Sequence, residues 1–400
     1  MTKKVDPDYI SDLVSMLKEV DDPRVVGRSK HLLIDILVLS VCAILSGAQS
    51  VVDIELYGQM KQGWLKKFLS LPNGIPSHDT LGRVLCLVDP AELERLFAKW
   101  VSSIIGGKIT SISIDGKSSK GTDRRFNGDS RPLHLVSVYS HEFGLTLCQS
   151  ESKSSGNAEA EAAVECLKTL DLKGVRVLAD AGLNSAKIIS LIDQKEGNYI
   201  VPIKSNHKNC YAELTDFFEN GTNIGAKAKS KDQLHGRDEE RACRILSVKG
   251  LSTRFKEKWP GAKCVFRIER QRSEKDKRFT IQTTGPDGKQ TYERNYGKTK
   301  ESTTITYYVS SSQISAREAL FETRKHWQIE NKVHWVLDVA FGEDSWTVRA
   351  KRVARNLSAM RRMALNIIRK DKSKGSVRGK IKKAGWNDQI LEQYIFGRAF

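Results

Sequence analysis

Between Thr110 and Lys204 the chain changes texture in an order that few folds accommodate. "TSISID" (Thr110 to Asp115) alternates Ile112 and Ile114 with small polar residues, and the stretch from Leu133 to Ser150 reads as two strands turning at Ser140-His141-Glu142. A helical stretch from about Ala158 to Leu170, the apolar strand "VRVLAD" ending at Asp180, a helix to Glu196 and the strand "YIVPIK" follow. Strands that first meander and then alternate with helices require a mixed sheet covered by helices, which is an α/β domain.

From Ser205 to about Thr306 this alternation stops. Polar loops, Gly285-Pro286-Asp287-Gly288 among them, separate strand-like stretches such as "KCVFRIERQR" and "TITYYVSS", and the region reads as a mainly β insertion. Helix resumes near Ala316, runs past Trp335 and gives way to basic helices. The first hundred residues are helical in pattern. Ile10, Leu13, Val14, Leu17 and Val20 repeat at helical spacing, an apolar helix spans about His31 to Leu45, and Asp89-Pro90 supplies a cap and a first-turn proline. A helix after Ser77 followed by the Asp89 helix fits either a helix-turn-helix or a packing and dimerisation bundle. The expected organisation is a helical domain over residues 1–105, an α/β domain in two parts over 106–205 and 308–400, and the insertion over 206–307. At 400 residues the chain exceeds one ordinary core, so more than one unit is expected.

Charge narrows the partners. The chain carries 66 Lys and Arg against 48 Asp and Glu, a net +18, and +12 of it lies between Ser345 and Phe400. A polyanion is the expected partner, with a solvated helix surface as the plainer alternative. On that basic stretch Met360, Met363, Ala364 and Ile367 form one apolar stripe, and Trp386, Ile390, Leu391 and Tyr394 another. No apolar run reaches the roughly 20 residues of a membrane span, and the first residues do not resemble a signal peptide, so a cytoplasmic protein is expected. Seven dispersed cysteines without a CxxC pair argue for reduced, buried thiols; His207 with Cys210, Cys243 and Cys264 is a weak zinc alternative.

Three acidic positions stand out. Asp115 and Asp180 each end a strand, where ligands bind in α/β sheets, although Asp115-Gly116 also suits a turn. Lys117 and Lys120 add charge near a prospective phosphate. "GKSS" is no nucleotide loop, because the position five before Gly116 is Ser111, and no nucleotide cofactor is expected. In "RKHWQIENKVHWVLDVAFGED", Ile329, Val333, Val336 and Ala340 form a core stripe while His326, Glu330, His334 and Asp338 recur every four residues on another face. That face is either a hydrogen-bonded polar surface or the donor of one carboxylate to a shared site.

"SIDGK", "LADAG", "YYVSSS", the Glu330 helix, "RNLSAMRRMALNIIR" and the early "GIPSHDTLGRVL" resemble, across most of the chain, the H-repeat-associated branch of bacterial insertion-sequence DDE transposases. The resemblance implies a ribonuclease H-like fold in which Asp115, Asp180 and Glu330 bind two divalent ions, Mg²⁺ or its substitute Mn²⁺. It implies an enzyme that binds its element's ends as a homodimer on double-stranded DNA, cleaves them and joins the 3′ ends to target DNA. Alternatives are a nuclease of the same fold and an inactive DNA-binding remnant. His326 and His334 would then support the carboxylates or contact DNA, and Lys332, Arg349, Arg352 and Arg355 would contact DNA with Lys117 and Lys120. Related enzymes often carry Arg four residues before the Glu and Lys seven after it; here those positions are His326 and Leu337, with Arg324 and Lys332 nearby.

Overall fold

A computed structural model describes residues 11–25, 27–122, 132–153, 158–220, 225–234, 237–275, 279–284, 290–295, 299–346, 348 and 350–397. The Gly285–Gly288 loop and Arg349 fall outside them. The chain forms two compact units, drawn differently from the expected domains: residues 1–177, 194–197 and 326–400 in the first, and 178–193 and 198–325 in the second.

The first unit opens with α1 (Ser11–Lys18), α2 (Leu33–Leu45), α3 (Val51–Leu65), α4 (His78–Leu87) and α5 (Pro90–Ile104). The boundaries follow local chemistry. The side chains of Ser50, Ser77 and Asp89 accept hydrogen bonds from Asp53, Thr80 and Ala91 amides, and Pro90 opens its helix. α2 is apolar all round because it is buried all round, and burying each such side chain stabilises by roughly 1.5–3 kcal/mol. Its lone acid, Asp35, is 3% exposed and accepts from the amides of Ser70 and Leu71, at 3.3 and 2.7 Å.

β1 (Ser111–Ser119), β2 (Leu133–Ser140) and β3 (Thr146–Glu151) form the antiparallel meander, in the order β3-β2-β1. α6 (Ala158–Lys168) covers β2 and β3, and β4 (Arg176–Ala179) begins with the Arg176 amide donating to the Thr110 carbonyl.

The second unit takes the end of β4, α7 (Ala186–Gln194), β5 (Asn198–Ile203) and α8 (Lys208–Glu219), followed by β6 (Ala226–Leu234), β7 (Arg237–Ser247), α9 (Thr253–Lys258) and β8 (Cys264–Lys275). A small hairpin of β9 (Phe279–Thr284) and β10 (Gln290–Asn295) precedes β11 (Thr299–Ser310). Its strands order β5-β11-β8-β7-β6, all antiparallel. These strands are interleaved with the helices α8 and α9. The first half of α10 (Ala316–Ile329) packs Ala316, Ala319 and Leu320 onto Phe266 and Ile268 of this sheet.

The chain then returns to the first unit through a π-helical turn (Glu330–His334), α11 (Trp335–Phe341), α12 (Lys351–Lys370), α13 (Val377–Trp386) and α14 (Asp388–Phe396). α12 packs on α2, α4 and α5, with the Asn356 amide donating to the Leu85 and Val88 carbonyls. α14 holds α3 through Lys61–Asp388 and Trp64–Glu392 contacts of 2.6 Å each. The amino-terminal helices therefore share a core with the carboxyl-terminal ones, because α12 buries its apolar stripe against them. Among the described residues no helix is long and apolar enough to cross a membrane.

Candidate active site

In the first unit Asp115 lies on β1, part-buried at 27% side-chain exposure, with Oδ1 accepting from the Gly116 amide at 2.9 Å. Glu330 is exposed at the first residue of the π-helical turn, whose i→i+5 bond runs from the Trp335 amide to the Glu330 carbonyl. Such turns recur at functional sites. The His334 imidazole stands 3.5 Å from Asp115, Nδ1 to Oδ2, so the turn carrying Glu330 reaches the strand carrying Asp115.

Two further ties bracket that contact. Two residues before Asp115, Ser113 Oγ meets His141 Nε2 at 2.8 Å, and His141 Nδ1 meets Gln328 Oε1, two residues before Glu330, at 3.4 Å. Two residues after Asp115, Lys117 Nζ reaches Asp338 at 2.7 Å and Asp344 at 3.0 Å. Burial raises the Asp338 pKa, and Lys117 opposes that rise. His141 does not stand out in the sequence, because a histidine in a hairpin turn carries no signature of its own.

In the second unit Asp180 follows β4 with its side chain 53% exposed, and Lys204 Nζ lies 3.1 Å from its Oδ1. Lys204 ends the "YIVPIK" strand, and nothing in the sequence pairs it with Asp180. The three carboxylates offer hard oxygens that are only partly covered, the donor type suited to Mg²⁺, which keeps several of its waters. Among the described residues no three His, Cys, Asp or Glu side chains converge as a ready-made metal cluster. The residues of the zinc alternative do not gather: His207 Nε2 lies 2.8 Å from Asn184 Oδ1, and the three cysteines are buried thiols.

Several of the expected DNA contacts are buried or held in internal ion pairs. The π turn adds a residue to the helical repeat, so His326, Glu330, His334 and Asp338 do not share one face. His334 is 7% exposed, and burial, with help from Arg362 and Lys117, lowers its pKa to about 3. It is a buried neighbour of Asp115. Lys117, 8% exposed, is occupied by carboxylates, and Arg355 pairs with Glu94 and Glu151 at 2.5 and 2.9 Å. Arg361 and Arg362 are buried beside Glu343. Lys120, Lys332 and Arg352 are exposed, although Arg352 donates to the Leu87 carbonyl, and His326 is half-buried. Lys117→Met is expected to cost roughly 1–3 kcal/mol, by leaving the part-buried acceptors Asp338 and Asp344 without their cation, while the salt dependence of DNA binding stays unchanged. Thermal melting and a salt titration check this.

The family described as "Transposase DDE domain" matches residues 106–367, which contain Asp115, Asp180 and Glu330. The chain belongs to this family of DDE transposases. Residues 14–101 match the accompanying "DDE_Tnp_1-associated" family. "Putative transposase YncI" of Escherichia coli O157:H7 is 33% identical over 397 residues, 96% of this chain and 95% of that one. "H repeat-associated putative transposase YhhI" of Escherichia coli K12 is 29% identical over 97% of this chain and 98% of that one. "Inactive transposase YbfQ" of the same strain is 38% identical over 76 residues, 19% of this transposase and 90% of the relative.

Proposed function

We propose that this transposase binds the ends of its own element, cleaves DNA by metal-dependent phosphodiester hydrolysis and joins the freed 3′ ends to a target. Asp115, Asp180 and Glu330 are the catalytic and metal-binding carboxylates, on a ribonuclease H-like core. The observation that carries this reading is the contact between β1 and the Glu330 turn, with Ser113–His141–Gln328 and Lys117–Asp338 on either side of it. A family match spanning that whole arrangement supports it.

Two divalent ions, Mg²⁺ with Mn²⁺ as substitute, would activate the attacking oxygen and stabilise the leaving one. The chain's own part is to hold the carboxylates in place. Lys117 is committed to Asp338 and Asp344 and so ties β1, which carries Asp115, to the segment after the Glu330 turn. The protein would act as a homodimer on double-stranded DNA in the cytoplasm, with Lys120, Lys332 and His326 next to the phosphates.

Trp327 and Trp335 flank Glu330 and are 53% and 60% exposed, unusual for side chains of that size. They suit stacking on bases at an opened DNA end. Trp327→Ala and Trp335→Ala are each expected to weaken binding to a DNA with an unpaired end by roughly 1–3 kcal/mol and to leave intact duplex less affected. Fluorescence anisotropy on the two DNAs decides this.

The test of the reading as a whole incubates the protein and Mg²⁺ with DNA that flanks its own gene, both intact and pre-cut. Cleavage of the first and joining of the second are expected. Cleavage without joining of pre-cut ends would identify a nuclease, and binding without either reaction an inactive remnant.

A further inference from the structure

The positive charge of the carboxyl-terminal region divides on folding. Lys351 and Arg352 at the start of α12 are exposed, but from Arg355 onward this helix uses its cations internally: Arg355 on Glu94 and Glu151, Arg361 and Arg362 on Glu343, and Arg369 on the Gly144 and Lys332 carbonyls. The segment after it does not. Between Asp371 and Asp388 stand Lys372, Lys374, Arg378, Lys380, Lys382 and Lys383, and no acid. Lys380 turns inward at 7% exposure, with its ammonium 3.4 Å from Asp371 Oδ2. The other five are exposed, and among the described residues none of them forms an ion pair.

The opposite side of α13 is fixed. Ile381 and Ala384 are 4% and 1% exposed, and at Gly385 an added Cβ would stand 2.9 Å from the Ser46 carbonyl oxygen, so the helix backbone lies directly on the end of α2. Arg378, Lys382 and Trp386 then follow at four-residue steps along the outward side. The sequence pattern puts Trp386 on an apolar stripe; it is instead 78% exposed, with the Lys382 ammonium 5.9 Å from its ring. A rigid row of single-sign charge without an apolar cleft fits regularly spaced phosphates better than it fits a folded protein surface, where acids are interspersed with apolar groups.

We propose that α13 and the Lys372–Lys374 loop form a surface that tracks the DNA backbone, with contacts that do not depend on base sequence. This rests on the transposase reading and moves its main duplex contact away from α12. The test uses the full chain carrying K372Q, K374Q, R378Q, K382Q and K383Q together. Anisotropy with a duplex from the gene's flank and an unrelated duplex is read across a salt series.

The expected slope of log affinity against log salt becomes shallower by about 0.9 for each phosphate that the protein no longer neutralises, equally on both duplexes. A control, K168Q with K173Q, removes two exposed charges of the same unit and is expected to leave the slope unchanged. If the fivefold variant melts early, K372Q/K374Q and K382Q/K383Q are read in its place. A folded variant with the wild-type slope overturns the proposal. So does a weakening confined to one duplex, or a changed oligomeric mass with DNA binding intact, which would make α13 a subunit contact. Absence of any salt-dependent DNA binding by the wild type would instead remove the transposase reading on which the proposal stands.

Discussion

Asp115→Asn, Asp180→Asn and Glu330→Gln are each expected to lower DNA cleavage by more than about a hundredfold, some 2.7 kcal/mol or more of transition-state stabilisation, while binding to DNA ends persists. The amide keeps the shape of the carboxylate and loses the charge that holds a hard dication. Chelation by EDTA should reproduce the loss in the wild type, and restored Mg²⁺ should reverse it. The two first-unit substitutions carry a folding control: Asp115 and Glu330 are partly or fully exposed, so their variants should melt close to wild type. A variant that cleaves within about tenfold of wild type removes its residue from the mechanism, and full activity in EDTA removes the metal.

The largest expected effect on stability belongs to Glu343. Gly342 ends α11 in the left-handed conformation, φ 64°, and directs the next residue inward. There the Glu343 carboxylate, 1% exposed, lies 3.1 Å from Arg362, 3.8 Å from Arg361 and 2.6 Å from the Ser358 hydroxyl. Arg362 also donates to Ser137 of β2 at 3.2 Å, and Arg361 stacks over Trp346 with its guanidinium 3.5 Å from the ring centroid. Burial raises the Glu343 pKa, but Arg362, Arg361 and Lys117 outweigh it and hold the value at about 2.

Glu343→Gln leaves two buried guanidiniums without a counter-charge, and a loss of roughly 3–5 kcal/mol is expected. For a unit of this size that corresponds to a Tm lower by roughly 10 °C, read by calorimetry. Because the folded pKa is depressed, the stabilisation is present above the ordinary carboxylate range and fades as pH falls from about 4.5 towards 2. The wild type should lose stability over that window, and Glu343→Gln should lose less. A variant with an unchanged melting curve at neutral pH would show that the guanidiniums find other partners.

Much of the architecture is legible in the sequence because it is set by local period and local caps. Ile112 and Ile114 face one way because strands alternate, and Asp89-Pro90 begins α5 because the aspartate accepts the amide of Ala91. Asp180 falls where its strand stops, but Asp115 does not: β1 runs on through Gly116 and Lys117 to Ser119, paired with β2 throughout, because Asp-Gly needs no turn when the ladder continues. Long-range partners are not legible in this way. Arg355 reads as a surface charge until Glu94 and Glu151, both more than two hundred residues earlier, are brought beside it. The same holds for Lys117, whose acids lie more than two hundred residues later, and for Trp386, whose helix is docked by its glycine, alanine and isoleucine face. The π turn is equally hidden: an i→i+5 bond needs no special residue, so a strict four-residue spacing is the natural reading of Glu330 and His334.

That turn sets the rotational phase of everything downstream of Glu330. Each α-helical residue advances the screw by about 100°, so a chain lacking Asn331 could close the turn as regular α-helix, with a more favourable ladder of hydrogen bonds. Such a deletion would also carry Asp338 about 100° around the axis, away from the Lys117 ammonium it meets at 2.7 Å, and would misdirect Gly342 and Glu343 behind it. One extra residue thus serves as a phase shifter. It lets the segment before it present Glu330 to solvent while the segment after it stays keyed to the interior, two orientations that a uniform helix could not satisfy together.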